Sequence, residues 1–309
     1  MNTMSLGGIL PVIPTPYGDD GDVDDASFER VVEFCIQAGA GALVYPGVAS
    51  EYDFLSATEL QSLTSKVCDM ARGRLPVVSG GGKGTPVEIA ANIRHAQAAG
   101  AVAAMVLIPR QFAEDVPGAI SFFTEIIAGA PGMDIVLQNA PAPVGAGLSP
   151  DGVMQIANAS TAIRYVKEEA LPSGPRITAL REAAPEHLRG VIGGGGARYV
   201  IDEMKRGALG AMPAAEITDI HVKMWNAFHA GDESMARELY MRSLPLLVIQ
   251  TIYRMRLTKR VFMMRGLLKN DRTRAPLPEF DRYDLDELAY QVSSLEEYFS
   301  DAVIEEVAT

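Results

Sequence analysis

The sequence predicts one (β/α)8 TIM barrel over residues 1–215, with residues 216–309 supplying the last barrel helix and a C-terminal helical extension, on three observations. Short apolar runs ending in Gly or Pro alternate with longer segments whose apolar residues recur at every third and fourth position, which is the rhythm of repeated βα units. The short runs are hydrophobic through their middles, as strands of a parallel sheet covered on both faces must be. No early strand-to-helix turn carries the dinucleotide-type glycine fingerprint that would favour a doubly wound sheet.

The eight strands are expected at 8–16, 42–46, 75–79, 102–109, 134–139, 163–169, 188–192 and 208–213. The first helix presents Phe28, Val31, Val32, Cys35 and Ile36 as one apolar stripe, opened by Asp24 or Asp25 and stopped at Gly39. Ser56 and Glu59 form a capping box ahead of Leu60, Leu63 and Val67. Beyond strand eight only helical patterns follow, including 244–253 and 285–299, with a break at 273–278 where two prolines interrupt them.

Composition narrows the function. With 309 residues, 48% of them hydrophobic, the chain can bury a large core, and its length suits either two domains or one barrel of about 250 residues with an appendage. A net charge of −12 leaves no basic stripe for a phosphate backbone, so no nucleic-acid partner is expected, and an anionic substrate would need locally placed cations. Cys35 and Cys68 are too few for a disulfide framework, each sits in an apolar helical pattern, and a reducing cytoplasm is the expected compartment. The start of the chain lacks the basic and apolar regions of a signal peptide, and no run approaches the ~20 apolar residues of a membrane span.

In such barrels chemistry sits at the carboxyl ends of the strands. Strand six reads Ile163-Arg164-Tyr165-Val166-Lys167-Glu168-Glu169, and alternation puts Ile163, Tyr165, Lys167 and Glu169 on one face. If that face is the barrel interior, Lys167 and Glu169 share an enclosed mouth about 7 Å apart along the strand. Removing a lysine from water there favours the neutral amine, a nucleophile suited to imine formation, while a neighbouring carboxylate pulls the other way. Spacing alone fits a structural ion pair equally well.

Three motifs carry a resemblance. Gly47-Val48-Ala49-Ser50-Glu51, Gln138-Asn139-Ala140-Pro141 and Val166-Lys167-Glu168, in this order after strands two and five and within strand six, resemble those of the dihydrodipicolinate synthase and N-acetylneuraminate lyase family over essentially the whole chain. The resemblance implies a lyase in which Lys167 is the Schiff-base lysine, a small-molecule 2-keto acid as substrate, and a homotetramer or dimer. Departures restrict this. Val48-Ala49 stand where hydroxyl residues are usual, leaving the backbone amides of Ala49 and Ser50 to hold a substrate carboxylate. Gln138 replaces the proton-shuttling tyrosine, and Ala142-Pro143-Val144 lacks the synthases' arginine. The segments 50–51 with 55–56, 138–141, 167–169 and 210–213 are similar to those of the L-2-keto-3-deoxyarabonate dehydratase branch, which also lacks the tyrosine.

The expectation is therefore a hydro-lyase with Lys167 as nucleophile, Glu169 as acid and base, and Ala49, Ser50, Gln138 and Gly193 around the substrate. The covalent imine would serve in place of a cofactor, and no metal is expected, since His95, His187, His221 and His229 lack ligand spacing. A carbon–carbon lyase releasing pyruvate is the enzymatic alternative. A non-catalytic keto-acid-binding regulator is another, motivated by the lost hydroxyls. Gly193 to Gly196, near Arg198, read as a tight turn or a close backbone approach rather than a phosphate cradle, Gly80 to Gly82 likewise, and Met255, Met263 and Met264 read as core or interface filling.

Overall fold

The structure, a computed structural model, describes residues 6–300. Eight parallel strands, β1 (Gly8–Ile9), β2 (Leu43–Val44), β3 (Val77–Gly80), β4 (Ala103–Leu107), β5 (Asp134–Asn139), β6 (Ile163–Glu168), β7 (Gly190–Gly193) and β8 (Gly210–Ala211), pair in the order β1-β8-β7-β6-β5-β4-β3-β2. Val12 bridges both Val44 and Ala214, which closes the curled sheet into a barrel. The helices α1 (Asp25–Gln37), α2 (Ala57–Ala71), α3 (Pro86–Ala99), α4 (Val116–Gly129), α5 (Pro150–Asn158), α6 (Ser173–Glu182) and α7 (Val200–Lys205) follow successive strands. The chain then runs through α8 (Thr218–His229), α9 (Glu233–Met264) and α10 (Arg282–Ser293), with the expected break, residues 273–278, between α9 and α10.

Local chemistry explains the boundaries. Asp24, not Asp25, caps α1 by accepting from the Ser27 amide, and Gly39 takes the left-handed φ of 83° that ends it. The capping box of Ser56 and Glu59 opens α2. Strand one is much shorter than residues 8–16, because Pro11, Pro14 and Pro16 have no N–H to give a ladder; single bonds at Val12 and Ile13 carry the edge instead.

Apolar residues fill three layers. Leu10, Val44, Val78, Met105, Val136, Tyr165 and Ile192 are among those packing the barrel interior, whereas Val31, Val67, Ile93, Phe123, Ile163 and Val166 belong to the layer between strands and helices. The third joins β1 and β8 to α7 through α10. Ile163 thus lies apart from Tyr165, correcting the simple alternation read from the sequence. The register shifts where Ile135 pairs with Ile163 and Val136 with Tyr165, so the bulged Arg164 moves Ile163 to the outer face. Both cysteines are buried free thiols, and no helix of the described residues is long and apolar enough to cross a membrane.

Candidate active site

The bulge leaves the phase of β6 beyond it intact, so Lys167 projects inward at the carboxyl end, in register with Gln138 on β5. Glu169 lies one residue past the strand, yet its amide still donates to the Asn139 carbonyl at 3.0 Å, which holds it in the same inward phase as Lys167. The consequence is a compact triad. Glu169 Oε1 stands 3.0 Å from Lys167 Nζ and accepts a 2.6 Å hydrogen bond from Gln138 Nε2. Lys167 is only 6% exposed, while the Glu169 side chain keeps 23% of its surface.

Glycine makes this possible. A methyl group on Gly194 would stand 2.0 Å from Glu169 Cγ, so the loop after β7 can pass behind the carboxylate only without a side chain. Gly195 and Gly196 take φ of 53° and 62° in a tight 3₁₀ turn and line the cavity. Gly193, expected at the substrate, faces elsewhere: its missing side chain makes room for the Glu203 carboxylate, 2.1 Å from where a Cβ would sit. Burial pushes Glu203 up to about 7, against one 2.7 Å bond from Ser173 Oγ.

Glu168 points the opposite way from its neighbours. Fully buried, it lies 3.2 Å from Arg176 Nε and accepts from Asn139 Nδ2 and the Ala170 amide, and burial raises its pKa. It is a structural carboxylate that ties β6 to β5 and α6.

The loop after β2 separates two residues expected to act together. Ser50 is fully buried, its hydroxyl donating to the Ile13 carbonyl at 2.5 Å and accepting from the Gly47 amide at 2.9 Å, while its own amide donates to the Gly47 carbonyl. Ser50 thus shapes the loop and presents no free amide. Val48 and Ala49 line the cavity, and among the described residues their amides have no protein acceptor. Behind this loop Glu51, held at φ of 59°, meets Lys259 of α9 at 2.5 Å, both side chains fully buried, and accepts from the Ala275 amide. Burial pulls Lys259 down to about 8.

The cavity at the carboxyl ends measures about 400 Å³. Lys167, Glu169, Gln138 and Ala49 meet in its wall. The sequence reading missed its other side, where Gln250, Arg254 and Thr258 stand at successive four-residue intervals on α9, beside Arg198 and Tyr199. The available signal was the polar series Gln250, Arg254 and Thr258 at helical spacing. Among the described residues no group of three or more His, Cys, Asp or Glu could hold a metal ion.

The dihydrodipicolinate synthetase family model matches residues 5–295. The chain is 29% identical over 275 residues to L-2-keto-3-deoxyarabonate dehydratase of Azospirillum brasilense, covering 88% of this chain and 89% of that one. It is 27% identical over 290 residues to 4-hydroxy-tetrahydrodipicolinate synthase of Shewanella frigidimarina, covering 89% and 92%. In structure it is similar to dihydrodipicolinate synthase from Rhodopseudomonas palustris, with a TM-score of 0.86 at 26% identity over 96% of this chain and 99% of that one. On these matches the chain belongs to the dihydrodipicolinate synthetase family, a family of lyases.

Proposed function

We propose that the chain is a Schiff-base-forming hydro-lyase that removes water from a 2-keto-3-deoxy sugar acid, in the manner of L-2-keto-3-deoxyarabonate going to 2,5-dioxopentanoate. The observation that carries this is the Lys167–Glu169–Gln138 triad, which places a buried amine and a carboxylate in contact within one cavity and puts an amide where a tyrosine is usual. The likeness to the Azospirillum dehydratase supports the same reading.

A proton passed from Lys167 to Glu169 across their 3.0 Å contact leaves a neutral amine facing the cavity. The amine attacks the C2 ketone, Glu169 gives the proton it took to the C2 hydroxyl, which leaves as water, and the protonated imine draws electrons from the C3–H bond. Glu169 takes the C3 proton and returns one to the departing C4 hydroxyl, while Gln138 keeps the carboxylate aimed. Tautomerisation places a carbonyl at C5, and hydrolysis of the imine frees Lys167. One water is lost overall and every carbon is kept. The free Val48 and Ala49 amides receive the substrate carboxylate. On this reading the lysine imine is the electron sink and no other cofactor enters. Family habit supports a homo-oligomer, dimer or tetramer, which light scattering reads directly.

Borohydride reduction in the presence of pyruvate or a 2-keto-3-deoxypentonate, followed by peptide mapping, is expected to place a stable adduct on Lys167. An adduct on Lys259, or none, refutes the covalent step. Product analysis separates the carbon–carbon lyase reading, which releases pyruvate and an aldehyde. A regulator would bind the keto acid and return it unchanged.

A further inference from the structure

The wall of the cavity facing α9 holds more positive charge than the chemistry at Lys167 uses. The charged side chains lining the cavity are Lys167, Glu169, Arg198 and Arg254. Lys167 and Glu169 offset each other across 3.0 Å, leaving two guanidinium groups in a protein whose net charge is −12. The carboxylate of a simple 2-keto acid offsets one of them at most.

Among the described residues neither arginine has a carboxylate partner. The other four arginines of α9 have carboxylate partners: Arg237 with Glu233, Arg242 with Glu238 and Glu297, Arg256 with Glu279, and Arg260 with Asp271. Arg254 has none among the described residues, and it sits at φ 48° and ψ −121°, a left-handed backbone that breaks α9 at the cavity. A straight helix would not need that strain. Arg198 is half-buried, and one of its nitrogens, Nη1, rests on the Leu247 carbonyl at 3.3 Å and Gln250 Oε1 at 3.4 Å. Gln250 in turn donates to the buried Glu216, so the guanidinium is oriented by uncharged acceptors while its Nε and Nη2 have no protein acceptor among the described residues.

We infer that Arg198 and Arg254 form a subsite for a second anionic group at the far end of the substrate, so that within the proposed class of 2-keto-3-deoxy sugar acids the preferred member carries a terminal carboxylate or phosphate, the arabonate standing for the type of dehydration and not for the far end. The inference rests on the proposed imine chemistry only for the other end of the molecule. Planar guanidinium groups with free donors suit an oxyanion, and a partly enclosed cavity makes each contact worth more than at an open surface.

The test compares affinities, measured by calorimetry, of matched keto acids: 2-oxopentanoate against 2-oxoglutarate and 2-oxo-4-phosphonobutanoate, and 2-oxohexanoate against 2-oxoadipate. The wild-type chain is expected to bind the doubly anionic member of at least one pair more than about tenfold tighter, a difference of about 1.4 kcal/mol. That ratio is expected to fall severalfold in R198Q and in R254Q, and toward unity in the double variant. The phosphonate arm distinguishes a phosphate from a carboxylate terminus. Equal affinities within every pair, or ratios that survive in both variants, overturn the subsite. R254Q alters an exposed side chain and keeps the test valid should R198Q fold poorly. Borohydride trapping on the same samples reads Lys167 independently: lost trapping with an arginine-dependent ratio sinks the imine and leaves the subsite, and the converse sinks the subsite alone.

Discussion

Adding a single methyl group at Gly194 should separate the two halves of the proposed reaction. The Cβ would stand 2.0 Å from Glu169 Cγ, 2.9 Å from Cδ and 3.1 Å from Cβ, where ordinary carbon contacts run about 3.5–4.0 Å. Glu169 must therefore retreat by about 1.5 Å at Cγ. That retreat breaks the 3.0 Å contact with Lys167 or the 2.6 Å bond from Gln138. A misplacement near 1 Å costs about 10²-fold in rate, or about 2.7 kcal/mol in barrier. The overpacking itself should cost about 1–3 kcal/mol of stability. In Gly194→Ala, dehydration of a 2-keto-3-deoxypentonate and deuterium uptake from heavy water at C3 of pyruvate should both fall about 10²-fold. Borohydride trapping at Lys167, read as an end point, should stay within about tenfold, since over a long incubation solvent takes the lysine proton that Glu169 takes rapidly in the parent. A variant with wild-type turnover, or one whose trapping collapses as far as its turnover, would refute the assignment of proton transfer to Glu169.

Four further outcomes follow from buried polar groups. Lys259→Met should cost about 3–5 kcal/mol in urea unfolding by stranding buried Glu51, and Glu51→Gln in that background should restore part of it. His221 is fully enclosed, neither ring nitrogen has a partner among the described residues, and burial pulls it down to about 4. A lowered histidine pKa means that the unfolded chain takes up a proton first, so this stability is present above pH 6.5 and drains away toward pH 4, by up to about 3 kcal/mol. Glu203, pushed up to about 7, acts in the opposite sense: its carboxyl favours the folded chain when protonated, and that contribution is lost as pH rises through 7. His221→Leu should therefore lose less stability on acidification than the parent, and Glu203→Gln should gain relative to it above pH 7; parallel pH profiles would disprove both. Ser50→Ala removes a hydroxyl that links Gly47 to Ile13, and should raise KM for the keto acid more than it lowers kcat while costing about 1–3 kcal/mol. A kcat effect alone would mean that the loop does not hold the substrate carboxylate.

The succession of eight strands, the cap at Ser56, the start of α1 at Asp24 or Asp25, and the shared phase of Lys167 with Glu169 were legible along the chain because each depends on neighbours within a few residues. The same short-range logic misassigned Ile163, since a bulge is a property of two paired strands and leaves no mark on one. It also grouped Ser50 with Ala49. Adjacent residues in an irregular turn point in different directions, and only the position of the Ile13 carbonyl, on the distant segment that follows β1, decides which hydroxyl is spent.

Composition and periodicity therefore determined the architecture and the end of the barrel where chemistry belongs, and put Lys167 and Glu169 on one face of strand six, while the assignment of that amine to an imine came from the family resemblance. The tertiary structure alone decided that Gln138 holds Glu169 rather than reaching freely into the cavity, that Gly194 instead of Gly193 clears the carboxylate, and that α9 closes the far wall with Arg254. Periodicity is local, encoded in the spacing of like residues, whereas a cavity wall is assembled from segments as distant as residues 49, 138, 198 and 254, whose meeting is fixed by how strands and helices pack.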